Sequence, residues 1–195
     1  MQDFDKNYNT PILGIDEAGR GPLCGPVVSA CVWWHEFPNE DLGINDSKKL
    51  TQPRRQNAFN QLMNSTGKNQ LSVGIGIASA FEIDEMNILN ATKLSMYRAF
   101  KRCKKPEKFL ALLDGNQPVS TINPHETVIK GDQKSFSIAT ASIIAKVIRD
   151  EIMEKIHILY PEYHLDQHKG YGTKLHKEKI QEFGFCPYHR KSFKI

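Results

Sequence analysis

Four acidic residues, far apart along the chain, stand in the same local setting. Asp16 and Glu17 follow the apolar run 11–15, Asp114 ends the apolar string KFLALLD, and Asp132 follows the strand-like stretch 125–130. In open α/β sheets, sites form at strand ends. If these strands are parallel neighbours, their carboxylates converge at one edge of the sheet. Carboxylates a few ångströms apart repel by ~1 kcal/mol per pair in water, and several-fold more at an effective dielectric near ~20. Such a cluster calls for cations, and an all-oxygen donor set suits Mg²⁺ or Mn²⁺ rather than zinc. Taken singly, each acid also reads as a solvated turn residue, so the recurrence is the signal. Consecutive side chains on a strand point to opposite faces. The glycines at 19 and 21 therefore suggest a bend or bulge that swings Glu17 towards Asp16.

Gly14, Gly19, Gly21 and Gly25 crowd one segment, but no Gly-Lys-Ser/Thr follows and the next element reads as a strand, which excludes a nucleotide P-loop. They offer backbone groups that a ligand can approach, with the Arg20 cation alongside. Further on, Tyr171 follows His168-Lys169-Gly170 in a polar loop. A tyrosine there reads either as a core or rim residue or, given its neighbours, as part of a ligand-facing loop. Lys48, Lys49, Arg54 and Arg55 lie ahead of or at the start of a helix, where phosphate contact and solvated charge are both open readings. Lys146 and Asp150 are spaced to pair on one helix. Asp46, Glu85 and Asp150 are left out of the acidic set, because loop capping and helix-end roles account for them.

The elements that must position these residues follow from the apolar pattern. Strands are expected over 11–15 and 27–34, joined by the glycine block, with a third over 71–78, where glycines alternate with large apolar residues and mark a closely approached face. Thr51 and Pro53 open a helix reaching to about Met63, with Thr51 as its cap. Helical spacing covers 81–102, and 135–159 forms a long helix. KFLALLD reads as a strand buried on both faces, with 125–130 as its neighbour. A short helix is expected near 174–183. The predicted product is an α/β fold: a mixed sheet flanked by helices (residues 1–159), with a small helical module at 160–195.

The 195 residues are 39% hydrophobic and 25% charged, which suits a globular core and excludes disorder, collagen and coiled coil. No apolar run approaches the ~20 residues of a membrane span, and acids near Met1 do not suit a signal peptide, so a cytoplasmic protein without a membrane partner is expected. A net charge of +4 permits a polyanionic partner without demanding one. The four cysteines lack C-x-x-C spacing and read as reduced, buried thiols.

The strings GIDEAGRGPLCGPVV, NDSKKLT, DEMNILNAT, LLDGN, KGDQKS, ASIIAKVIRD, HKGYGT and HRKSF, in this order, resemble the successive motifs of bacterial ribonuclease HII, the type 2 ribonuclease H. The resemblance spans residues 11 to 193. It implies a ribonuclease H-like fold with a five-stranded mixed sheet, and a C-terminal helical module that binds substrate. It also implies an endoribonuclease that cuts the RNA strand of RNA/DNA hybrids and nicks on the 5′ side of single ribonucleotides in duplex DNA.

The same resemblance maps the catalytic, metal-binding acids onto Asp16, Glu17, Asp114 and Asp132. It maps 2′-OH recognition by backbone groups onto Gly19, Arg20 and Gly21, and the sugar-packing tyrosine onto Tyr171. Ser47, Lys48 and Lys49 fall in its SKK segment, and Lys146, His168 and Lys169 join the expected substrate contacts. Two Mn²⁺ or Mg²⁺ ions, ~3.5–4 Å apart, would activate water and neutralise the leaving 3′ oxygen, giving 5′-phosphate and 3′-hydroxyl ends. The 2′-OH then marks identity and is not the nucleophile. A monomer is expected, and no protein partner is specified. The rivals are another metal-dependent nuclease of this fold, such as a junction resolvase, which would lack the GRG and HKGY elements, and a silent hybrid-binding module, against which the intact acids argue.

Overall fold

A computed structural model describes residues 1–44, 47 and 50–195. The expected phosphate contacts of Lys48 and Lys49, and the role expected of Asp46, therefore lie outside the described residues. Five strands, β1 (Ile12–Ala18), β2 (Val27–Trp34), β3 (Leu71–Ala78), β4 (Leu110–Asp114) and β5 (His125–Val128), form one sheet in the order β3-β2-β1-β4-β5. β1–β2 and β2–β3 are antiparallel, the second pair across the long helix-containing connection 35–70, whereas β1–β4 and β4–β5 are parallel, the latter joined by the short stretch 115–124. The sheet is mixed, as expected, but connection length alone does not assign its pairs, since β2 and β3 are separated by a helix and still pair antiparallel. β5 stops two residues early, because Lys130 turns the backbone into the left-handed region (φ 55°).

The helices are α1 (Gln2–Lys6), α2 (Gln52–Gly67), α3 (Ala80–Arg102), α4 (Phe136–Leu159), α5 (Leu165–His168) and α6 (Lys174–Phe183). The apolar pattern did not predict α1, which is short and polar. Its buried Asp5 carboxylate accepts the Ser137 N–H (2.8 Å) and so caps α4 from a distance. Thr51 stands at the start of α2, but its side chain makes no capping bond, contrary to expectation. Arg55 instead folds back onto the carbonyls of Ser47 (2.9 Å) and Leu50 (2.8 Å), which ties down the loop and leaves this cation engaged. α3 starts with a Ser79–Glu82 capping box and is broken at Asn87 (φ 66°), whose side chain accepts the Asn90 N–H and restarts the helix.

Strand alternation sends the two faces of the sheet to different helices. Leu13, Ile15, Cys31, Ala111 and Leu113 pack on Met96, Ala99 and Phe100 of α3. On the other face, Ala30 and Val32 pack on Ala141, Ile144 and Ala145 of α4. Glycines allow the helices to come this close. A Cβ at Gly76 would overlap the Ser95 carbonyl of α3, and one at Gly14 would overlap the Ser137 backbone of α4. The expected close approach along β3 is thus made by α3.

Gly76→Ala should force α3 off the sheet and destabilise the protein by ~2–3 kcal/mol, read as a lower urea midpoint at unchanged slope. Gly67→Ala, where nothing stands within 4 Å of the added methyl, should leave the midpoint within experimental scatter or raise it.

Candidate active site

The parallel β1–β4 register runs from Ile12↔Leu110 to Ile15↔Leu113, so Asp16 and Asp114 each come one residue past the last pair on adjacent strands. β1 stays regularly paired with β2 through Ala18↔Val28. The expected bulge at Glu17 is therefore absent, and an unbroken antiparallel ladder is the reason. Asp16 lies on the α4 face, where the Ser142 hydroxyl bonds its carboxylate, and Glu17 lies on the α3 face. Both nevertheless line a single cleft with Asp114, because the cleft wraps around the end of the sheet.

Burial pushes the Asp16 carboxyl well above its usual range, and the neighbouring Glu17 and Asp114 charges push it further. Asp16 Oδ1 accepts the Glu17 N–H at 2.7 Å. Glu17 is also raised by burial, although the Arg20 guanidinium (3.4 Å) opposes this. Its Oε2 is buried without a hydrogen-bond partner among the described residues. An orphaned carboxylate oxygen within mutually repelling acids suits a hard divalent cation, and Asp16, Glu17 and Asp114 are the residues that would close on it, although one oxygen from each does not lie within 4.8 Å of the other two. Asp114 Oδ1 accepts the Gly131 N–H at 2.7 Å. Asp132 follows in the turn Gly131–Gln133; it is nearly fully buried and is not on the cleft wall formed by the other three.

Gly19, Arg20, Gly21, Ser47, Lys146 and Tyr171 also line the cleft. Ser47 Oγ and Ser142 Oγ are 2.8 Å apart, and Lys146 pairs with Asp150 (2.7 Å) as its helical spacing predicts. His168 and Lys169 are turned away from the cleft. His168 is bonded to the Tyr163 carbonyl and the Gly170 N–H, and Lys169 Nζ holds Glu154 (2.9 Å) and the Asp166 carbonyl.

Behind Tyr171 runs a relay of two neutral imidazoles whose tautomers the partners dictate. His176 Nδ1 faces the Tyr171 carbonyl (3.0 Å) and so bears the proton, leaving Nε2 as an acceptor. His189 Nδ1 accepts the Cys186 N–H (3.0 Å), so its Nε2–H donates to His176 Nε2 (3.0 Å). Burial pushes His176 down to about 4. Cys24, Cys186 and His189 are also the only group of three potential ligand atoms within 4.8 Å of one another among the described residues. Both His189 nitrogens are already engaged and two guanidiniums flank Cys24, so this cluster is a seam between the glycine-rich loop and the C-terminal segment. All four cysteines are buried and free, as their spacing predicts.

Residues 13–195 match the family model described as Ribonuclease HII. The chain belongs to the ribonuclease HII family. It is 47% identical to the ribonuclease HII of Chlamydia trachomatis serovar L2, with 98% of this chain and 85% of that one aligned. Identity to the Fusobacterium nucleatum ribonuclease HII is also 47%, over 97% of this chain and 88% of the relative. The crystal structure of the ribonuclease H2 from Pyrococcus horikoshii OT3 superimposes with a TM-score of 0.75 at 28% identity, covering 94% of each chain. The sheet and its helices are therefore the ribonuclease H fold, and the protein is a nuclease, a ribonuclease H acting on RNA/DNA hybrids. Enzymes of this family use divalent metal ions, in keeping with the acidic cleft. The resolvase and silent-module readings fall with the family match.

Sequence reasoning overlooked Ser142, Arg149 and Arg190. The first two lie inside ASIIAKVIRD and the third inside HRKSF, strings that were singled out without a role for these side chains.

A carboxyl whose folded pKa is raised contributes stability that is present at low pH and lost as pH rises through the folded value. At pH 8 without divalent ions, Asp16→Asn should therefore melt a few degrees above the parent, the scale of ~1 kcal/mol for a chain of this size. Mn²⁺ should raise the parent's melting temperature more than the variant's. For His176 the sign reverses: the unfolded ring, near ~6.5, takes its proton first, so stability is full above that value and falls as pH drops towards 4, by up to ~3 kcal/mol. The melting gap between the parent and His176→Gln should be wide at pH 8 and close near pH 4.

Proposed function

We propose that this ribonuclease H also nicks duplex DNA on the 5′ side of single embedded ribonucleotides, leaving 5′-phosphate and 3′-hydroxyl ends, and that it acts as a cytoplasmic monomer. The carrying observation is the composition of one cleft: Asp16, Glu17 and Asp114 on one wall, with Gly21 and the half-exposed Tyr171 ring facing each other beside them. Asp16, Glu17, Asp114 and Asp132 would hold two Mn²⁺ or Mg²⁺ ions. When bound, such ions supply Lewis acidity towards the phosphate and an activated water.

The chain's own residues do the selecting. The backbone of Gly19, Arg20 and Gly21 reads the 2′-OH, the group that separates RNA from DNA at a given sugar. The Tyr171 ring packs on the neighbouring deoxyribose, where an added hydroxyl would crowd it. Ser47, Lys48, Lys49 and Lys146 contact phosphates, and residues 160–195 form the substrate module that carries Tyr171. His168 and Lys169 shape the turn before Tyr171, as their inward bonds suggest. None of the described histidines lines the cleft, which favours water over the 2′-OH as nucleophile.

The test is a labelled DNA duplex with one ribonucleotide, incubated with Mg²⁺. The parent should nick once, 5′ to the ribonucleotide, and Asp114→Asn should lower the rate about 100-fold or more. Tyr171→Ala should cut cleavage about tenfold or more while plain duplex affinity stays within about twofold. An uncut substrate, or cutting that survives Asp114→Asn, would overturn the proposal.

A further inference from the structure

HRKSF belongs to the motif series, yet nothing in the acidic cleft uses it. Its Arg190 is 1% exposed, and among the described residues it has no carboxylate within ion-pair distance. A buried, unpaired guanidinium is costly to desolvate, and burial together with the nearby Arg149 pulls Arg190 down to about 9. Its compensation comes from backbone oxygens. Nη2 donates to the Gly19 carbonyl (2.6 Å), Nη1 to those of Arg20 (2.9 Å) and Pro22 (2.7 Å), and Nε to that of Gly25 (2.9 Å). The ring of Phe193 lies under the guanidinium at 5.1 Å.

Trans peptide geometry turns this into a statement about donors. In each planar unit the C=O and the following N–H point in opposite directions. Carbonyls of Gly19 and Arg20 drawn back to Arg190 therefore aim the N–H groups of Arg20 and Gly21 away from it, on the side of the cleft that Gly21 lines. Neither N–H donates to another backbone group among the described residues, whereas the Leu23 N–H is spent on the Gly170 carbonyl (2.8 Å) and the Gly25 N–H on Tyr188 (2.8 Å). Arg149 braces the same loop by donating to the carbonyls of Cys24, Pro26 and Lys169. Gly19 has a positive φ (99°), and a Cβ there would collide with the Arg149 side chain, so the loop cannot relax by substitution.

We infer that Arg190 is a positioning residue for 2′-OH recognition: from the side of the loop away from substrate, it fixes the peptide planes that present the Arg20 and Gly21 N–H groups. This deepens the reading given under Proposed function and rests on it. Lysine offers a point charge with three donors in place of the planar five-donor fork, so Arg190→Lys keeps the charge and loses the simultaneous hold on four carbonyls.

The experiment compares affinities, in EDTA so that nothing is cut, for a DNA duplex with one ribonucleotide and for the same duplex in all-DNA form. The parent should prefer the former. Arg190→Lys should lose most of that preference, about tenfold, with all-DNA affinity within about twofold, and its cleavage rate at saturating substrate should fall by a similar factor. A merely structural role would instead weaken both duplexes together. Retained preference, or equal weakening, would overturn the inference. A parent that does not cut the ribonucleotide duplex would overturn the underlying reading instead.

Amide exchange on the parent provides a measurement that needs no variant. The Arg20 and Gly21 amides should exchange fast in the free protein and slow on adding the ribonucleotide duplex, while Gly25 is protected throughout. Arg20 and Gly21 amides that are already protected in the free protein, or that stay fast in the complex, would overturn the inference even if Arg190→Lys failed to fold.

Discussion

The parallel pairing of β1 with β4 is the constraint on which the molecule depends. It brings Asp16 and Asp114, nearly a hundred residues apart in sequence, to successive ends of adjacent strands, and the unbroken β1–β2 ladder adds Glu17. Carboxylates so placed cannot separate without breaking backbone hydrogen bonds. Burial and mutual repulsion raise their proton affinity, and a backbone N–H or a guanidinium relieves only part of the charge. The site is thus held in a state that a divalent cation stabilises, and the sheet supplies the rigidity that keeps it there.

The second half of the device is a loop without regular structure. Residues 19–26 contain two prolines and three glycines, a composition that forms no helix or ladder of its own. Order comes from outside, through two buried arginines whose nitrogens gather the carbonyls of the loop and of the turn before Tyr171. Cation and carbonyl dipoles compensate each other in a place where neither could be buried alone. The His176–His189 relay extends the same logic to the Tyr171 carbonyl, with neutral rings instead of charge. The glycine-rich loop and the Tyr171 turn are therefore braced from behind, by α4 through Arg149 and by the C-terminal segment through Arg190, His176 and His189.

The strands, the four long helices and the mixed topology were legible because alternation and helical spacing reflect burial directly. KFLALLD could be little else than a strand covered on both faces, and the glycines of β3 did mark a helix in close contact. The helices that escaped, α1 and α5, are too short to show periodicity, and α1 contributes a carboxylate to a distant helix start as well as Phe4 to the core. Thr51 had the right residue type for a cap, but its side chain makes no capping bond, and Pro53 in the first turn removes one of the N–H groups a cap would accept. Glu17 was expected to need a bulge because a strand was pictured in isolation; at the end of a sheet, a cleft can reach both faces.

Residue types and their order were sufficient to nominate the acids, glycines and tyrosine that the proposed chemistry uses, and to determine the fold family, since these properties are local or cumulative along the chain. Which acids share a wall, which lysine and histidine turn inward, and which arginines hold the loop were decided only by tertiary structure. A buried cation satisfied by carbonyls leaves no acidic partner in the sequence to betray it. Its bonds are to backbone, which every residue possesses, and only the folded geometry selects the ones that matter.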